Sequence, residues 1–127
     1  MRTALLPCLP ACLALAPADS ARAGTGTDKV LEVVTFRLVP GVTDAQFLAA
    51  ASGTEVALAA QPGFVRRTLL RDDTGLWTDA VEWQGLTLAV AAARAVMADP
   101  GFAPFGAAID MTTLRMQHLP IVWQMGD

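Results

Sequence analysis

Apolar positions alternate with period two in four stretches of this chain and recur at helical spacing in two others. Lys29 to Leu38 is dense in Val, Leu and Phe and reads as strand 1. Its two faces carry Val30, Glu32, Val34, Phe36 and Leu38 on one side and Leu31, Val33, Thr35 and Arg37 on the other. Both are apolar enough to be at least partly covered. Pro40-Gly41 ends the strand. Thr43 and Gln46 have the spacing of a capping box, and Val42 and Phe47 that of a hydrophobic staple across it. Phe47, Ala50, Ala51, Thr54 and Leu58 then continue at helical spacing as helix 1. Gly53 inside it costs about 1 kcal/mol relative to alanine and is expected to allow close approach to the sheet. Pro62-Gly63 stops the helix.

Phe64 to Arg71 is strand 2, Asp72-Asp73-Thr74-Gly75 a hairpin turn with Gly75 available for positive φ, and Leu76 to Trp83 strand 3. Gln84-Gly85 breaks the pattern. Leu86 to Ala98, mostly alanine, is helix 2, ended by Asp99-Pro100-Gly101. Phe102 to Ile109 reads as a loop or a single helical turn. Asp110 to Leu119 is strand 4, with Leu114 and Met116 on one side and Met111 and Leu119 on the other. Residues 121–127 are a C-terminal tail that opens with the apolar Ile121-Val122-Trp123.

The order β-α-β-β-α-β predicts an α+β, ferredoxin-like fold: a four-stranded antiparallel sheet with two helices on one face. Right-handed crossovers are expected to set strand 1 beside strand 3 and strand 2 beside strand 4. Two helices cover only one face, yet the other also carries apolar residues. A second subunit's sheet is the simplest cover, which predicts a two-fold homodimer.

At 127 residues the chain holds one domain, placed at 29–120. Residues 1–23 have the order of a secretory signal peptide: Arg2, an apolar run from Ala4 to Ala16, then Ala21-Arg22-Ala23 before Gly24. The run is shorter than the roughly 20 residues a membrane span needs. Export to the periplasm or the medium is the expectation, with 24–28 as a flexible lead-in and no membrane span. A lipid on Cys12 is the alternative. Both cysteines, Cys8 and Cys12, lie in this leader, so the remaining domain has no disulfide, cysteine nucleophile or thiolate site. Without Arg2, Arg22 and Asp19, seven basic and eleven acidic residues leave a charge of about −4, which disfavours nucleic acid.

Val33-Val34-Thr35-Phe36-Arg37-Leu38, Pro40-Gly41, Gln61-Pro62-Gly63-Phe64, Trp77, Glu82-Trp83 and Asp99-Pro100 with Phe102 and Phe105 together resemble the dimeric α/β-barrel superfamily. The likeness runs from about Val30 to Leu119 and is greatest to antibiotic biosynthesis monooxygenase (ABM)-like domains. It implies a dimeric α/β barrel with a small-molecule pocket between the sheet and helices of each subunit. It also implies, for some members, oxygenases that use no metal or flavin and act on polycyclic phenols. Other members degrade haem with an Asn, Trp and His set; this chain has no Asn.

The candidate chemistry is sparse. His118, the one histidine, falls on the face of Leu114 and Met116 and is a candidate general base. Asp79 shares its face with Trp77, Val81 and Trp83, and a buried acid there needs a partner. An interface salt bridge to Arg37 or Arg115 is the structural alternative to catalysis. Glu32, among Val and Leu, poses the same question, and Glu82 is expected to pair with Arg66 or Arg67 across strands. Trp77, Trp83, Phe64, Phe102 and Phe105 are candidates for an aromatic pocket. Most are expected to be core, with Phe102 and Phe105 placed to form a lid. No metal-ligand spacing, phosphate loop or Ser-His-Asp motif is present, and no cofactor is expected. Three roles remain as expectations: a small-molecule binding protein, a cofactor-independent monooxygenase, or a non-catalytic assembly or stress-related protein.

Overall fold

The computed structural model describes residues 28–126. The expected signal peptide and the Cys12 lipid site lie outside the described residues. Four strands, β1 (Val30–Leu38), β2 (Phe64–Arg71), β3 (Trp77–Trp83) and β4 (Ile109–Pro120), form one antiparallel sheet in the order β2-β3-β1-β4. Four helices accompany it: α1 (Asp44–Ser52), α2 (Glu55–Ala59), α3 (Leu86–Met97) and α4 (Ala103–Ala107), the last preceded by a 3-10 turn at Pro100–Phe102. The fold is α+β and ferredoxin-like, as expected.

Its strand order corrects one expectation. Strand 1 does lie beside strand 3, but β2 and β4 are opposite edges, not neighbours. Each crossover skips one position, and the other repeat's inner strand fills the gap. β4 therefore pairs with β1, which sets His118 directly across from Glu32.

Helix 1 begins as its sequence dictates. The Thr43 hydroxyl accepts the Gln46 amide at 3.1 Å while the Gln46 side chain accepts the Thr43 amide at 2.9 Å. It does not run unbroken to Pro62. Gly53 and Thr54 interrupt it, and the buried Thr54 hydroxyl donates to the Ala51 carbonyl at 2.6 Å. The close approach at Gly53 is to the backbone of Gly101, not to the sheet; a Cβ on Gly101 would lie 3.2 Å from the Gly53 carbonyl. Gly63 takes φ +85°, the conformation the Pro62-Gly63 turn needs. The hairpin turn is tied by Asp72, whose carboxylate accepts from Thr74 and from the Leu76 amide.

Two clusters form the core on the helical face. One packs Phe36, Phe47, Trp77, Phe105 and Ile109; the other packs Leu58, Val81, Trp83, Ala89 and Val96, with Phe102 against both. Edge-to-face pairs join Phe36 with Phe47 and Phe47 with Trp77. Among the described residues, no helix covers the opposite face. Its rows read Arg66, Glu82, Leu31, Leu119; then Thr68, Ala80, Val33, Gln117; then Leu70, Thr78, Thr35, Arg115. Leu70 and Leu119 on it are about half exposed. Glu82 is buried there under Lys29, Arg66 and the tail residue Gln124. Among the described residues, no single helix is long and apolar enough to cross a membrane.

Candidate functional site

A cleft of about 470 Å³ opens between the β1–β4 half of the sheet and the segment that runs from the end of α3 through α4. Val34 and Phe36 of β1 and Leu114 and Met116 of β4 form its sheet wall. Met97, Phe102 and Phe105 face them from the helical side. The Asp99 carboxylate caps the 3-10 turn by accepting the Gly101 amide at 2.7 Å, which fixes the bend that carries Phe102 into the wall.

Met111 lines the same cleft as Leu114 and Met116. Strict alternation along the sequence puts it on the other face. A register shift in the β1–β4 ladder, where Thr35 pairs with Arg115 but Arg37 with Asp110, breaks that alternation. Asp110 holds the irregular stretch by accepting from Thr112, while Thr113 donates to the Asp110 carbonyl.

Two carboxylates from the sheet reach this otherwise apolar space, Glu32 and Asp79. Asp79 is 7 % exposed, and Arg67 satisfies it completely: Nε donates to Oδ1 at 3.0 Å and Nη2 to Oδ2 at 2.8 Å. Arg67 Nη1 also donates to Thr54 at 2.7 Å, and the guanidinium stands 4.9 Å from the Phe105 ring centre. The partner of Asp79 is thus neither Arg37 nor Arg115. Arg37 instead donates to the hairpin at Thr74. A bulge between Phe64 and Arg66 accounts for the geometry: it turns Arg67 to the helical face beside Leu69, which pairs with Asp79.

His118 Nε2 lies 2.8 Å from Glu32 Oε2, joining β4 to β1 at one end of the cleft. Glu32 lines the cleft; His118 stands behind it, in contact with Glu32. Of the five aromatic candidates, Phe102 and Phe105 line the cleft. Trp77 packs in the core against Phe47, and Trp83 packs edge-on against Phe64. Phe64 borders a second groove of about 380 Å³ between α1–α2 and β2. Sequence reasoning misses the cleft's methionines because nothing in a lone Met marks a wall. It misses the pairing of Glu32 with His118 because the expected topology sets strand 4 beside the wrong neighbour. Among the described residues, no group of three or more His, Cys, Asp or Glu is placed to hold a metal ion.

A four-stranded sheet of this order, with helices on one face and an apolar cleft beneath them, defines the class. The chain shares this fold with solved structures of antibiotic biosynthesis monooxygenase (ABM)-type proteins. Among solved structures it is similar to SnoaB, a cofactor-independent oxygenase from Streptomyces nogalater. In two structures of that protein the identity is 26 % and 28 % and the TM-scores are 0.58 and 0.52. The first match covers 79 % of this chain and 99 % of SnoaB, the second 78 % and 96 %. A Bordetella bronchiseptica protein provisionally assigned as an antibiotic biosynthesis monooxygenase shares the fold at TM-score 0.65. It is 16 % identical, over 76 % of this chain and 99 % of its own. No protein-family profile and no curated protein matches the chain.

Proposed function

We propose that the chain is an exported homodimer that binds a small hydrophobic or aromatic molecule in the cleft between its sheet and helices. The observation that carries the reading is the cleft itself. Phe102, Phe105 and Met116 offer flat and adaptable apolar contact, and about 470 Å³ suits a ligand of two or three fused rings. Support for the homodimer comes from the uncovered sheet face, where Leu31 and Val33 form an apolar centre. Support for export comes from the order of charge, apolar run and small residues in 1–23. A protein kept for assembly alone would gain nothing from an open apolar cleft.

The test is a titration of the purified chain with 2-naphthol followed by amide chemical shifts. Shifts concentrated at Phe102–Ala107 and Leu114–Met116 support the reading. Shifts confined to the groove beside α1 and α2, or none at saturating ligand, overturn it.

A second reading, cofactor-independent monooxygenation of a phenolic or related aromatic substrate, draws on the likeness to SnoaB. In such chemistry the deprotonated substrate supplies the electrons. A ring CH2 and O2 become a carbonyl and water, so one oxygen atom enters the product and the other takes both hydrogens. The protein has only to bind the ring, exclude water and accept a proton. Oxygen uptake with a panel of hydroquinones and anthrones tests it, with His118→Ala as the comparison. No uptake by the wild type removes this reading, and unchanged uptake by the variant removes His118 from the catalysis.

A further inference from the structure

Glu32 is the buried acid that faces the cleft with an oxygen to spare. The residue is 9 % exposed. Its Oε2 is taken by His118 at 2.8 Å, and no described residue donates to Oε1. The other carboxylates of the cleft differ. Both oxygens of Asp79 are filled by Arg67. Asp99 accepts the Gly101 amide and is partly open to water. Oε1 is not among the fully buried unpaired atoms of the described residues, so it opens to the cleft, where a ligand O–H or N–H can replace water as its donor in a charge-assisted hydrogen bond. A ligand that brings a second negative charge into the same apolar space is repelled.

We propose that Glu32 is the specificity-determining residue of the cleft, a role that rests on the cleft being the ligand site. Its Oε1 accepts a hydrogen bond from an uncharged, flat aromatic molecule bearing one O–H or N–H, and it turns away carboxylates and phosphates. His118 is a positioning residue that holds the Glu32 carboxylate by its other oxygen. The match is built into the sheet: Glu32 and His118 are paired residues of the β1–β4 ladder, so the strand register itself aligns them.

Calorimetric titration with three ligands of one shape tests this. The wild type is expected to bind 2-naphthol about tenfold or more tighter than 2-methoxynaphthalene, which cannot donate, and than 2-naphthoate, which is charged. Glu32→Met, close in volume and apolar, is expected to bring the three affinities together. His118→Gln, which keeps a donor for Oε2, is expected to retain the preference, and His118→Leu to narrow it. Equal binding of naphthol and its methyl ether by the wild type overturns the proposal without any variant, so a misfolded mutant does not shelter it. A preference that survives Glu32→Met also overturns it. Failure of all three ligands to bind overturns the cleft reading itself, and binding without preference overturns only the role of Glu32.

Discussion

Arg67 clasps both carboxylate oxygens of Asp79, at 3.0 and 2.8 Å, with each side chain about nine-tenths buried. The same guanidinium reaches Thr54 at the break between α1 and α2 and lies over Phe105 of α4. One side chain thus ties β2 and β3 to the helical layer and to the cleft wall. Removing either partner strands a charge in a dry place. Asp79→Asn and Arg67→Met are each expected to cost about 3 kcal/mol in urea denaturation. The pair Asp79→Asn with Arg67→Met should cost less than the sum of its parts, because no uncompensated charge remains. Additive losses would mean that the two side chains do not depend on each other.

Gly63 sits at φ +85°, and a Cβ there would meet Leu88 of α3 at 2.6 Å. Backbone conformation and space both forbid a side chain. Gly63→Ala is expected to destabilise by about 1–3 kcal/mol, more than a solvent-facing Gly→Ala change would. Gly106→Ala is the control: its Cβ meets nothing within 4 Å, its φ is not positive, and it stands within helix α4. That variant should be neutral or slightly stabilising in the same thermal melt.

Asp72 holds the hairpin turn, and its carboxyl lies below the ordinary aspartate range. The side-chain hydrogen bond from Thr74 is the main cause, then the Leu76 amide, with smaller help from the Thr74 amide and the charge of Arg37. A carboxyl lowered in the folded state stabilises above its unfolded pKa, and that stabilisation is lost as pH falls through the folded value. The stability gap between wild type and Asp72→Ala should therefore be constant near neutrality and shrink as pH falls below about 4. A gap that is unchanged down to the acid limit would contradict the role of the ionised carboxylate.

The bare sheet face carries Leu31 and Val33 at its centre, with Ala80 and Leu119 beside them. The purified chain is expected to run as a dimer in light scattering at micromolar concentration. Val33→Glu should shift it toward monomer, since an unpaired charge at the centre of an apolar interface is expensive. Met116→Gln, on the helical face, should leave the dimer intact. A wild type that is wholly monomeric at that concentration would remove the dimer from the account.

Much of this architecture is legible in the chain because its punctuation is local. Thr43 and Gln46 cap a helix, Pro62-Gly63 turns the chain, and Asp72 to Gly75 closes a hairpin through bonds spanning only a few residues. What stays hidden depends on register. The partner of Asp79 is set by a bulge after Phe64 that no residue type announces. The pairing of Glu32 with His118 spans 86 positions and arises from β4 lying beside β1. Phe102 and Phe105 can be picked out because Pro100-Gly101 lifts them off α3. Trp77 and Trp83 cannot be told from pocket aromatics without the two core clusters that absorb them.

A crystal of the purified chain grown with saturating 2-naphthol tests the central claim most directly. The ring is expected between Met116 of the sheet and Phe102 and Phe105 of the helical side, with its hydroxyl toward Glu32. A ring bound in the groove between α1–α2 and β2, or a cleft left without ligand at saturation, would contradict it.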